Sequence, residues 1–269
     1  MPENSPTSRP DEPVFRRFRI AILLYILVFV ALGQFLATRR ATDWNNTLWV
    51  DVYLVNGTGS EATEAYIDGI QPDAFANVER FFEQQAAEHG LQLERPFGIR
   101  VAGELDSAPP HAPASGGMLA AIVFSLRMRW FVTRLNWRTD GPAPDITVFA
   151  IYHDAESGVA LDRSTALRKG MIALANLFGS PSARGSNQVV MAHEMLHTLG
   201  ATDKYDLANG LPSYPVGYAD PERKPLYPQS RAELMAGRIP IDARHAEVPG
   251  SLHDVVVGAA TANEIGWPD

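Results

Sequence analysis

The sequence predicts an α+β domain: a mixed, twisted sheet with helices in an upper lobe, then a loop-rich lower lobe, with one transmembrane helix ahead of both. Three observations predict it. Strand and helix patterns alternate from Leu48 to Leu199. Seven prolines between Pro212 and Pro249 then break the chain into loops. An apolar run from Ile20 to Ala37 stands apart near the start.

Residues 1–17 are polar and Pro-rich and read as a disordered cytoplasmic tail. Residues 18–38 read as a retained signal anchor, because about 17–20 apolar residues suffice to span a bilayer. A cleaved signal peptide, leaving at Ala31-Leu32-Gly33, is the competing reading, but its core is normally shorter. A core helix of the soluble domain is the third reading, disfavoured because the run is apolar on every face. Arg9, Arg16, Arg17 and Arg19 precede the run and Arg39 and Arg40 follow it, a bias that keeps the N-terminus cytoplasmic. The expectation is a single-pass membrane protein with residues 44–269 outside the cytoplasm, divided into an upper lobe, 44–203, and a lower lobe, 204–269.

Leu48 to Val55 alternates as a strand and ends at Asn56-Gly57, a turn signal. Asp73 to His89 has helical spacing, with Ala74, Phe75, Val78, Phe81 and Phe82 on one side and Gly90 as a stop. Phe97 to Ala102 reads as a strand and Ser107 to Gly117 as a loop. Met118 to Leu135 is apolar but carries Arg127 and Arg129, so a packed helix is expected rather than a span. Asp145 to Tyr152 and Met171 to Leu177 read as strands, with a less regular one near Val159. The second has two readings, the upper edge of a cleft and an ordinary core strand. Asn187 to Leu199 is a helix, and His253 to Ile265 is expected to close the chain as another.

The chain of 269 residues has a formal net charge of -8 and no cysteine. An acidic chain is a poor general partner for nucleic-acid phosphates, so no nucleic-acid partner is expected. Without cysteine there are no disulfides, no thiolate metal sites and no cysteine nucleophile. Any metal must be held by histidine and carboxylate.

His193 and His197 are four residues apart, which on a helix stacks both imidazoles on one face, one turn apart. Two nitrogens so placed can bind one Zn²⁺. Glu194 lies about 100° around the helix from His193, able to reach a water at the metal without ligating it. Val189, Ala192, Leu196 and Leu199 form the face that packs inward. Gly200 suits a left-handed helix end, after which the chain can double back. Asp203 is then placed to return a carboxylate as third ligand. Asp206 competes for that role, and Glu264 is a more remote candidate.

The run His193-Glu194-x-x-His197-x-x-Gly200-x-x-Asp203 resembles the zinc signature of the metzincin metallopeptidases, some bacterial members of which carry Asp as third ligand. Glu233-Leu234-Met235-Ala236-Gly237 is similar to the Met-containing turn that this family places beneath its metal. The resemblance covers roughly Leu48 to the end. It implies a metzincin-like zincin domain, a Zn²⁺ cofactor and a membrane-anchored endopeptidase acting on peptide or protein substrates, with Glu194 as general base. Many members also have a tyrosine shortly after the Met-turn. None follows Met235 closely, leaving Tyr214, Tyr218 and Tyr227 as candidates for a hydroxyl. The competing functions are a non-catalytic binding protein on the same fold and a zinc hydrolase of a non-peptide amide. Substrate preference and oligomeric state are not encoded legibly.

Overall fold

The computed structural model describes residues 17–22, 24, 25, 28, 32, 41–105, 107–111, 117–137, 142–155, 164–167 and 170–268. The chain divides into two compact units, residues 1–40 and 41–269.

In the first unit, the described residues from 17 to 32 are helical. The expected tail over 1–16 lies outside the described residues, as does much of 18–38. Among the described residues no helix is long and apolar enough to cross a membrane. This corrects the expectation of a transmembrane helix over 18–38 and, with it, of a single-pass membrane protein. The run from Ile20 to Ala37 is near the lower length limit and is interrupted by Gly33 and Gln34. The longest described helix, Gly117–Asn136, carries three arginines.

The second unit is α/β rather than α+β. Its central sheet has the order β2-β1-β3-β5-β4, built from β1 (Leu48–Asn56), β2 (Phe97–Glu104), β3 (Ile146–His153), β4 (Thr165–Leu167) and β5 (Ile172–Phe178). All pairs are parallel except β4 with β5. Parallel neighbours need crossovers. Helices α1 (Glu61–Asp68) and α2 (Ala76–Glu88) lie between β1 and β2, and α3 (Gly117–Asn136) lies between β2 and β3. The inner strands β1, β3 and β5 are buried on both faces, as a parallel sheet requires, while the edge strand β2 is mostly half-buried. Val50, Val52, Leu54, Val148 and Ala150 pack with α1, α2 and α4 (Arg184–Leu199). Tyr53, Val55, Phe149 and Ile151 pack on the other side with Phe124 and Met128 of α3.

Helix α1 has no strong apolar stripe. It begins where Ser60 accepts from the Thr63 N–H, a local cap. The irregular strand anticipated near Val159 lies outside the described residues. Of the two readings of Met171 to Leu177, a cleft edge or an ordinary core strand, the structure has the inner strand: β5 lies between β3 and β4, and Thr165–Leu167 pairs antiparallel outside it. After Gly200 the chain forms only two-residue strands, among them β6 (Ala232–Glu233) paired with β9 (Val255–Val256), and β7 (Ile239–Pro240) with β8 (Ala246–Glu247). The expected closing helix is shorter: a 3₁₀ turn at Leu252–Asp254, then β9, then α5 (Ala259–Glu264). Ser251 and Asp254 form a capping box that starts the turn, and Val255, extended at φ -131, ends it.

Candidate metal centre

Helix α4 is held to the sheet by its own side chains. The Asn187 amide accepts from the Phe178 N–H and donates to the Phe178 carbonyl, pinning the helix to the end of β5. Met191, Met195, Leu196 and Leu199 are fully buried. Each such side chain contributes about 1.5–3 kcal/mol. Their sum outweighs the cost of about 1–3 kcal/mol for a buried polar atom left without a partner. The helix carries one: Glu194 Oε2 is buried with no hydrogen-bond partner among the described residues.

Gly200 ends the helix at φ 112, and its N–H bonds the Leu196 and His197 carbonyls. A Cβ there would be strained. The reversal brings Asp203 back over the helix. Asp203 Oδ1 lies 3.1 Å from His197 Nε2 and 3.3 Å from His193 Nε2, and the two Nε2 atoms are 2.9 Å apart. The opposite ring nitrogens are committed. His193 Nδ1 donates to the Leu234 carbonyl at 2.9 Å, and His197 Nδ1 donates to the Ala201 carbonyl at 2.8 Å. A carbonyl can only accept, so each neutral ring turns the lone pair of Nε2 toward the same point.

Three electron-pair donors thus converge, and their mutual repulsion is relieved by a cation at that point, either a metal ion or a proton on one Nε2. The titration of the site reflects this. Burial pushes the His193 pKa down, but the hydrogen bond to Asp203, the Glu194 and Asp203 charges and the Leu234 carbonyl reverse it and raise the pKa. Burial pushes Asp203 up, yet its bonds to both histidines hold it well below the usual carboxylate range. Burial raises the Glu194 pKa, and the two histidine charges only partly counter it. His193, His197 and Asp203 form a group able to hold a metal ion. The donor set, two imidazoles and one carboxylate, suits zinc. Tetrahedral ligands at about 2.0–2.1 Å from zinc would be roughly 3.3 Å apart, close to the separations observed.

The segment Glu233–Gly237 ties the site together. Leu234 gives its carbonyl to His193, while the Met235 carbonyl accepts from the Lys204 N–H at 2.9 Å, next to Asp203. Met235 is fully buried. Glu233 is buried too, and accepts from Ala236 N–H, Gly258 N–H and the Thr261 hydroxyl. Burial raises its pKa despite those donors. Glu264 is not part of that ligand group; it clasps the Asp203 loop. Its carboxylate accepts from Thr202 N–H at 2.8 Å, the Thr202 hydroxyl at 2.7 Å and Lys204 Nζ at 2.6 Å.

Asp206 instead caps its own loop, accepting from Ala208 N–H and Asn209. The Tyr218 and Tyr227 hydroxyls bond each other at 2.8 Å, and Tyr214 stacks edge-on against Tyr218. The tyrosine that lines the cavity beside His193 and Glu194 is Tyr205, which sequence reasoning missed. That cavity, of about 340 Å³, has Val189, Val190 and Val248 as apolar walls and Arg238 on its rim. Tyr205 follows Asp203 by two residues, so its place on the returning loop was the available signal.

No family model matches the chain, and no curated protein does. Solved structures give low-scoring likenesses. One is described as the structure of a chaperone–substrate complex: 16% identity, TM-score 0.40, covering 82% of this chain and 34% of that one. Another is catalytically inactive OgpA from Akkermansia muciniphila in complex with an O-glycopeptide (glycodrosocin) substrate: 13% identity, TM-score 0.40, covering 83% of this chain and 62% of that one. The chain spans less than two thirds of the length of either. Likeness at this level decides neither fold nor activity.

Proposed function

We propose that the chain is a zinc-dependent endopeptidase in which His193, His197 and Asp203 hold the metal and Glu194 is the general base. The observation that carries the reading is the convergence of three ligand atoms beside a buried carboxylate oxygen that has no hydrogen-bond partner among the described residues. A binding module has no use for that oxygen, and leaving it buried costs stability. Zinc held there would lower the pKa of water from about 15.7 toward about 7 and stabilise charge on a carbonyl oxygen. Glu194 Oε2 would take the proton of the attacking water and deliver it to the leaving amine. The Leu234 and Ala201 carbonyls fix the tautomer and orientation of the two imidazoles.

The fully buried Met235, in a turn that contacts both His193 and the Asp203 loop, supports the metzincin resemblance over a chance His-Glu-x-x-His. A peptide, rather than a small amide, is favoured by the short edge strand β4. Ser164, just before it, lines the cavity, so an extended chain can add alongside through backbone bonds. The test is digestion of casein and a peptide library by the full chain. Cleavage should stop with chelator and in Glu194→Gln. Cleavage that persists in that variant removes Glu194 as base.

A further inference from the structure

A second cavity, of about 540 Å³, lies between α2, the first turn of α4 and the segment 251–255. Arg80, Arg184, Arg231 and His253 reach it from four separate stretches of chain, and no Asp or Glu lines it. This is unexpected on a chain with 31 acidic and 23 basic residues. Arg95 and Arg100 show the ordinary arrangement, paired with Glu79 and Asp51. Among the described residues no carboxylate forms an ion pair with Arg80, Arg184 or Arg231; Arg80 donates to the Asn77 side chain. The floor is apolar at Phe81 and Leu252.

We propose that this cavity is a recognition site for an acidic segment of a peptide. Guanidinium forks match carboxylates bidentately. The volume falls within the range of about 300–1,000 Å³ usual for ligand clefts and exceeds what a single phosphate ion would fill. Arginines placed on separate elements suit several carboxylates spaced along a chain, and the apolar floor suits the methylene stems of glutamates. The site also neighbours the proposed catalytic cleft. The strap 248–253 separates them: Val248 and Pro249 line the cleft, and Ser251 to His253 line the basic cavity. The strap crosses α4 at Gly185, where a Cβ would sit 2.1 Å from the Gly250 carbonyl, so the two cavities share a tightly fixed wall. As a place to hold part of a substrate, the site rests on the endopeptidase reading; as a binding site it does not.

The test is fluorescence anisotropy with labelled hexaglutamate and hexalysine peptides, using the full chain and its His197→Ala variant. Hexaglutamate should bind both proteins, hexalysine neither, and rising salt should weaken binding. Arg80→Gln/Arg231→Gln, which alters two exposed side chains, should lose at least about tenfold in affinity, a difference of about 1.4 kcal/mol. Equal affinity in the double variant, or no hexaglutamate binding, overturns the proposal. So does binding of pyrophosphate in place of hexaglutamate, which would mark a small-anion site. Hexaglutamate binding by a chain that cleaves no peptide would leave this inference standing and remove the endopeptidase reading.

Discussion

The two halves of the second unit are held together by different physics. From Leu48 to Phe178, backbone ladders and hydrocarbon do the work: strands buried on both faces, with helices packed against each side. From Gly200 to Trp267, strands are two residues long, and side chains bonded to backbone groups replace the ladder. Glu233 gathers three donors, Glu264 another three, and Gln229 bonds Asp220 at both its N–H and carbonyl. Helix α4 belongs to the first half, while Asp203 and the carbonyl that orients His193 come from the second. A site built across the two can be positioned by polar groups without exposing the sheet to the constraints of chemistry.

That contrast can be broken deliberately. Phe82 is fully buried beneath the sheet. Phe82→Ala should cost about 3–5 kcal/mol in denaturant unfolding, yet leave the zinc affinity of the folded fraction nearly unchanged. Glu233→Ala should cost less, about 3 kcal/mol, from buried donors left unpaired. It should also weaken zinc binding, because the turn that orients His193 loses its anchor. Equal zinc affinity in both variants would show that the second half does not position the metal.

A smaller effect is expected from Glu264→Gln, which loosens the clasp on the Asp203 loop. Outer partners of ligands are typically worth about 10–100-fold in metal affinity, and the lower end is expected here, read by competition with a zinc indicator. The same residue sharpens the comparison through pH. Burial pushes the Glu264 pKa up, but Lys204 and the two Thr202 groups more than reverse this and lower it. A lowered carboxyl pKa contributes stability that is present above the unfolded value of about 4.3 and is lost as pH falls through the folded one. Wild type should therefore exceed Glu264→Gln in Tm at neutral pH, and the gap should narrow in acid. A constant gap would mean that the clasp does not act through its charge.

Legibility in the sequence followed the same divide. The run Leu48 to Val55 and the helical spacing of Val78, Phe81 and Phe82 are strand and helix in the structure, although β1 is buried on both faces and not on alternate residues. The spacing of His193 and His197 and the Gly200 stop needed only helix geometry, and the structure brings both imidazoles and Asp203 to one point. The short helix α1 escaped because it buries only Thr63 and Ile67, too few positions to make a periodic stripe. The order of the sheet, with β4 outside β5, depends on long-range pairing that no local pattern encodes. The apolar run from Ile20 to Ala37 misled because it sits near the lower length limit for a span, and hydropathy weighs composition alone. The clasps of Glu233 and Glu264 were illegible, since all their partners but Ala236 lie 25 to 62 residues away.

The central claim is tested most directly by zinc content. The full chain, its His197→Ala variant and its Glu194→Gln variant would each be dialysed against limiting zinc and their bound metal measured. The account predicts one zinc per chain in the wild type and in Glu194→Gln, and none retained in His197→Ala. A wild type that holds no zinc, or a His197→Ala variant that holds as much, would contradict it.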